Sequence, residues 1–189
     1  MMAIVLICLG YNNSQFNAKA SGVYTIASFC GVKCSNMDVY CDTKSGGGGW
    51  LVIQRRNIKS STNFHRGWSE YEDGFGDIND EFWFGLWPIH CLTNQGQWEL
   101  RIDITFDNGT KSYLHYSHFK VGPANDQYRP SISGFVGITP ADPFVTHPIN
   151  GQTFKTLDQP QGSTCPIFAH SSSIPGGWWH YSCWHINLN

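Results

Sequence analysis

Trp98-Glu-Leu-Arg-Ile-Asp-Ile-Thr-Phe106, then Asp107-Asn-Gly-Thr110, then a second run from Lys111 to Val121, is the stretch on which the fold turns. Trp98, Leu100, Ile102, Ile104 and Phe106 share one side of an extended chain, and Glu99, Arg101, Asp103 and Thr105 share the other. That period of two is the mark of a half-buried strand. Asp107, Asn108 and Gly109 form a turn signal, because Asn and Gly tolerate the positive φ of a tight hairpin. The returning run places Tyr113, His115, Ser117, Phe119 and Val121 on one face, with Leu114, Tyr116 and His118 on the other. The expectation is an antiparallel pair on which other segments pack.

Working outward, Trp50 to Arg56 also alternates as a strand, fed by the four glycines of Ser45–Gly49. A Walker phosphate loop would carry Gly-Lys-Ser/Thr and open a helix, so the glycines read as a turn. Ser21–Ile26 and Met37–Cys41 are two further short strands. Phe64, Trp68, Tyr71 and Phe75 recur at helical spacing within Asn63–Gly76, leaving Glu70, Glu72 and Asp73 toward solvent. Asp77, Asn79 and Glu81 alternate, but Glu81-Phe82 stands where an EF-hand needs another acid and a Gly. They read as a polar turn starting a short helix through Phe84. From Gly122 onward Pro, Gly, Ser and Asn predict mostly loop. The fold class that follows is α+β: a central twisted antiparallel sheet, short flanking helices and a loop-rich C-terminal lobe. At 189 residues the chain is long enough for one domain with a sizeable core.

Net charge is −2 and only 14% of residues are charged, which excludes the clustered Lys and Arg of a nucleic-acid surface. Met2–Leu9 is apolar but too short to span a bilayer. It reads either as a signal-peptide core, cleaved after Ala18-Lys19-Ala20, or as an abrupt start with Cys8 inside the folded domain. The domain is drawn as residues 8–189, with 1–7 a leader or abrupt start. Seven scattered cysteines without paired CxxC spacing suggest disulfides and an oxidising compartment. The odd count leaves one thiol unpaired or bonded to another chain. Asn12 and Asn108 each open an N-glycosylation sequon. Neither a Gly-x-Ser-x-Gly elbow nor a His-Glu-x-x-His helix is present, and His115 and His118 fall on opposite faces of one strand, so no enzyme is expected.

Cys41-Asp42, Gly46-Gly-Gly-Gly-Trp50 through Arg56, Phe64-x-Arg66-x-Trp68-x-x-Tyr71 and Glu81-Phe-Trp-Phe-Gly85 together resemble the fibrinogen C-terminal domain family. Ser21-Gly-Val-Tyr-Thr-Ile26, Ile89-His90-x-Leu92-Thr93, Leu100-Arg-Ile-Asp103 and Cys183-x-x-x-Asn187-Leu-Asn189 extend the resemblance in the same order, over nearly the whole chain from about Cys8. It implies an extracellular protein and bridges Cys8–Cys41 and Cys165–Cys183. Cys30 with Cys34 is a local option, which leaves Cys91 free and buried.

Cys165 and Cys183 bracket Gly176-Gly-Trp-Trp-His-Tyr181. The two tryptophans either cap the core or form an exposed aromatic wall for a sugar or acetyl group. In lectin-like members of the family this region is an acetyl-group pocket with a cis peptide before the second cysteine. By position the resemblance implies a ligand set of Trp178, Trp179, His180, Ser182, Cys183, Trp184 and His185, with the cis bond at Ser182-Cys183. Trp184 stands where the family has His, and members continue beyond the position of Asn189, so the pocket is expected to be altered and incomplete. The family's calcium loop corresponds to Asp158-Gln-Pro-Gln-Gly-Ser163, with a single carboxylate. Calcium is disfavoured there, and no cofactor is expected. The resulting expectation is a secreted, non-catalytic recognition domain that binds acetylated glycans or extracellular glycoproteins in innate recognition. The alternatives are a matrix or receptor-binding module of tenascin or angiopoietin type, or a truncated product. Oligomeric state stays open.

Overall fold

The computed structural model describes residues 2–8, 20–27, 36–57, 62–136, 142–146, 148–159, 176–181 and 188. Nine strands lie among them: β1 (Met2–Cys8), β2 (Gly22–Ala27), β3 (Asn36–Asp42), β4 (Trp50–Arg56), β5 (Phe75–Gly76), β6 (Phe82–Trp83), β7 (Trp98–Thr105), β8 (Lys111–Val121) and β9 (Pro130–Phe135). Three short helices accompany them: α1 (Trp68–Asp73), α2 (Leu86–Thr93) and α3 (Pro143–Thr146). The main sheet runs β2-β3-β4-β1-β7-β8-β9, every pair antiparallel, and β6 joins β4 with β5 at its outer side. This is the α+β fold expected of the sequence.

The β7–β8 hairpin forms as its alternation requires. Trp98, Leu100 and Ile102 are buried, their neighbours half-buried, and Leu100 pairs with Tyr116 and Ile102 with Leu114. Phe106 lies past the end of β7 and is exposed. The face assignment of β8 needs correction. Leu114 and Tyr116 point into the core with Phe119 and Val121, while Ser117 and His118 are both exposed. The parity changes where β8 leaves β7 after Tyr116 and continues with β9 alone. Opposite that step Gly134 takes φ +69°, and a Cβ there would meet Ser117 Oγ at 2.0 Å.

The short helix expected through Phe84 is instead the β5–β6 hairpin. Asp77 N–H donates to the Glu81 carbonyl at 2.9 Å, and Asp77 Oδ1 accepts the Asn79 N–H at 2.9 Å. Gly76, at φ +95°, lies where a Cβ would meet the Glu81 carbonyl at 2.2 Å, so only glycine permits the turn. The helix expected within Asn63–Gly76 is confined to α1, and Glu72 is half-buried, its carboxylate accepting from the Tyr128 hydroxyl. Beyond Gly122, β9 and α3 interrupt the predicted loop.

Leu51 and Ile53 of β4 enter the main core, while Trp50 and Val52 form a smaller cluster with Phe82 on the opposite face. The cysteine expectations also change. Cys41 is a free, buried thiol, so the Cys8–Cys41 bridge does not form, and burial pushes the thiol's pKa up to about 12. Register explains this. Cys41 pairs with Leu51, which pairs with Leu6, so β4 separates Cys41 from β1. Two strand spacings amount to roughly 9–10 Å, beyond the Cα separation a disulfide spans. Cys91, expected free, is disulfide-bonded. It sits half-buried on α2, whose Leu86, Ile89 and Leu92 take the core side. Cys30, Cys34, Cys165, Cys183 and the side chain of Cys8 lie outside the described residues.

Candidate functional site

The C-terminal lobe is assembled from two short extended pieces, Phe154–Thr156 and Gly176–His180. Lys155 and Trp178 form a bridge in which each N–H donates to the other's carbonyl, at 3.0 and 3.1 Å. Phe154 is the hub. Its ring contacts Tyr71 at 5.3 Å, Trp83 at 5.9 Å and Trp179 at 5.1 Å, and Trp178 lies 5.2 Å from Trp179. Such contacts add roughly 0.5–1.5 kcal/mol each to the burial itself. Gly177 fits between Phe154 and Tyr71, where a Cβ would stand 2.8 Å from each ring. Its backbone also bonds to the Tyr71 hydroxyl, and burial holds that hydroxyl's pKa above the ordinary tyrosine range.

This geometry decides between the two readings of the tryptophan pair. Trp178 and Trp179 are 1% and 3% exposed, so they cap the core and form no wall toward solvent. Trp179 Nε1 donates to the Tyr128 carbonyl at 2.7 Å, while Trp178 Nε1 is buried with no acceptor among the described residues. The composition of the segment concealed this, because its backbone is satisfied by Lys155 and Tyr71, from distant parts of the chain, while its rings face inward. Tyr128 and the preceding Gln127 both adopt φ +53°, backbone that costs on the order of 1–3 kcal/mol per residue outside glycine. The aromatic cluster holds that bend in place.

His180 is also buried rather than presented to a ligand. Its Nε2 lies 3.3 Å from the Gly176 carbonyl, and burial, with the charge of Lys155 in addition, pushes its pKa down to about 4. It is therefore neutral at pH 7 and out of reach of a substrate. Lys155, 2% exposed, donates from Nζ to the His180 carbonyl at 2.7 Å, and burial lowers its pKa too. A lone lysine in a polar loop gave no signal in the sequence, yet it anchors the end of this segment. Tyr181, the next residue, is 51% exposed. Ser182, Cys183, Trp184 and His185 lie outside the described residues, as does Asn12.

Asp158 is tied into the fold through α1. Its two carboxylate oxygens accept the backbone N–H of Trp68 at 2.9 and 3.1 Å, and Thr156 Oγ1 donates to it at 2.6 Å. It thus satisfies an orphan donor of the first turn of α1 from across the fold. Among the described residues no group of three or more His, Cys, Asp or Glu is placed to hold a metal ion. Asn108 is exposed at the tip of the β7–β8 turn, its Oδ1 accepting the Thr110 N–H at 2.9 Å. No helix among the described residues is long and apolar enough to cross a membrane.

These features can be set beside known proteins. Tenascin of Gallus gallus is 39% identical over 168 residues, which covers 89% of this chain and 9% of that protein. Ficolin-3 of Homo sapiens is 38% identical over 156 residues, covering 81% of this chain and 50% of that protein. The chain thus spans half or less of these relatives. The fibrinogen-like globe domain of human ANGPTL6 superposes with a TM-score of 0.76 at 33% identity, covering 90% of this chain and 72% of that one. The family model of the C-terminal globular domain of fibrinogen beta and gamma chains matches residues 11–189. With that match spanning almost its whole length, the chain belongs to the fibrinogen C-terminal globular domain family.

Proposed function

We propose that this chain is a secreted, non-catalytic recognition domain that binds acetylated glycans through the surface beginning at Tyr181. The observation that carries the reading is the anchoring of Gly176–His180. Lys155, Trp178 and Trp179 tie the segment to the core, and the next side chain, Tyr181, opens to solvent. A tyrosine held on a fixed base offers a flat apolar face and a polar edge, which suits a sugar ring. Ser182, Cys183, Trp184 and His185 complete the proposed surface, closed by a Cys165–Cys183 bridge. Trp178, Trp179 and His180 act beneath it as its support. The likeness to ficolin-3 supports this reading. Secretion is supported by the disulfide at Cys91 and by the exposed Asn108 sequon, which we assign as a glycosylation site.

The second reading is a matrix or receptor-binding module. It is favoured by the burial of both tryptophans, which leaves less aromatic surface for a sugar, and by the likeness to tenascin. A column carrying N-acetylated sugar separates the two. Retention with elution by free N-acetylglucosamine supports glycan binding. Passage through that column, with retention on immobilised matrix or receptor glycoproteins stripped of glycans, supports the second. A single weak site gains no avidity, so the column should carry dense ligand.

A further inference from the structure

The tip of the β7–β8 hairpin carries two features that the packing of the core does not use: the ring of Phe106 and the sequon Asn108-Gly109-Thr110. Phe106 is 51% exposed, although it ends the alternating series Trp98, Leu100, Ile102, Ile104, whose members enter or pack on the core. A single exposed aromatic is ordinary on a protein surface and by itself asks for nothing. The register of the turn gives this one a neighbour.

Thr105 pairs with Lys111 at the end of the β7–β8 ladder. Beyond that rung the Phe106 N–H donates to the Thr110 carbonyl at 2.8 Å, and the Gly109 N–H donates to the Phe106 carbonyl at 2.9 Å. Gly109 takes φ +82°, so the loop is the three-residue kind whose last residue is left-handed and forms a G1 bulge. Phe106 and Thr110 then stand opposite each other, and opposed residues put their side chains on one face. The Asn108 carboxamide is tied to the same place, because its Oδ1 accepts the Thr110 N–H at 2.9 Å. With Oδ1 engaged there, Nδ2 is the end of the carboxamide left for attachment of a glycan. All five residues from Phe106 to Thr110 are exposed, and a Cβ on Gly109 would meet nothing within 4 Å, so a sugar has room beside them.

The first sugar of an N-glycan is N-acetylglucosamine, which presents a face of apolar C–H groups. The negative face of an aromatic ring suits such C–H groups, and bringing the two together removes apolar area of both from water. We infer that Asn108 carries an N-glycan whose first N-acetylglucosamine lies over the Phe106 ring, with Thr110 at its edge. The sugar covers the exposed ring and braces the turn between β7 and β8. Attachment exchanges one Nδ2 hydrogen for a bond to the sugar C1. The oligosaccharide comes from a lipid-pyrophosphate donor, which departs as the free lipid pyrophosphate while the proton passes to water. The inference rests on the assignment of Asn108 as a glycosylation site and adds the task the glycan performs there.

The test compares four full chains secreted from a eukaryotic host that makes only high-mannose glycans: the parent, Asn108→Asp, Phe106→Ala and the double variant. Asn108→Asp removes the glycan and keeps an acceptor for the Thr110 N–H. Endoglycosidase H then trims every glycan to a single N-acetylglucosamine, so any sugar at Asn12 is the same in all four. Peptide mass should show the sugar at Asn108 in the parent. The parent should melt about 2–4 °C above Asn108→Asp, the shift that one aromatic contact gives a chain of 189 residues. That difference should vanish between Phe106→Ala and the double variant. In NMR spectra the C–H protons of the sugar should lie upfield in the parent, under the ring current of Phe106, and return to their ordinary positions in Phe106→Ala. The inference is overturned if the secreted parent carries no sugar at Asn108. It is overturned equally if the sugar is present but shifts the melting temperature as much without the Phe106 ring as with it. The first result would also withdraw the glycosylation assignment, and the second would leave it standing. Neither bears on the Tyr181 surface, whose own test is made with free sugar.

Discussion

The ammonium group of Lys155 donates to the carbonyl of His180 at 2.7 Å, and both residues are buried. The chain is thereby pinned one residue before Tyr181 emerges, and an acid-sensitive group is placed under the proposed binding surface.

Acid should loosen that pin. His180 has its pKa pushed from 6.5 down to about 4 when folded, mainly by burial. Between those values the unfolded chain binds a proton that the folded one refuses, so stability falls as pH drops through the window and levels off below it. The loss has a ceiling of roughly 3 kcal/mol. His180→Gln should flatten this dependence in urea midpoints compared at pH 7 and pH 4.5. An unchanged slope in the variant would contradict the assignment.

Gly177→Ala tests how tightly the tryptophan segment is seated. The added methyl meets Phe154 and Tyr71 at 2.8 Å, and overpacking of this kind costs about 1–3 kcal/mol. The expected result is a lower urea midpoint and a changed near-ultraviolet signal from the surrounding rings.

Asp158→Ala should remove the acceptor for Trp68 N–H and cost about 1 kcal/mol, the usual size of a lost helix cap. Because its lone carboxylate is committed to α1, millimolar calcium should leave the melting temperature of the parent chain unchanged.

Glu81 is fully buried between the Arg56 guanidinium and the Asn57 N–H. Glu81→Ala leaves the Asn57 N–H without its acceptor, while Arg56, partly exposed and still bonded to the Thr62 carbonyl, keeps a partner, so the expected cost is about 1–3 kcal/mol. Glu81→Gln keeps one acceptor and should lose less, as read from the same denaturation curves.

The parts of the fold legible in the sequence were those whose pattern depends on neighbours two residues away. Trp98–Thr105 alternates because one sheet face is core and the other is not, and the strand forms where the alternation runs, whereas Trp50–Arg56 forms where expected but is covered on both faces from Trp50 to Gln54. Phe82-Trp83 carried no such pattern. Its strand exists because Gly76 allows the Glu81 carbonyl to approach, a contact visible only in three dimensions. Likewise Trp178 and Trp179 gave the position of the C-terminal lobe but not its direction. Burial there depends on Phe154 and Tyr71, which come from distant parts of the chain. Lys155 was silent, since a lysine whose partner is a carbonyl twenty-five residues away has no sequence signature.

The most direct test of the central claim is a titration with N-acetylglucosamine, observed by backbone NMR on the parent chain and on Tyr181→Ala. The account predicts saturable shifts gathered at Tyr181 and residues 182–185, lost in the variant while its urea midpoint holds. Shifts that are absent, or that persist undiminished without the Tyr181 ring, would contradict it.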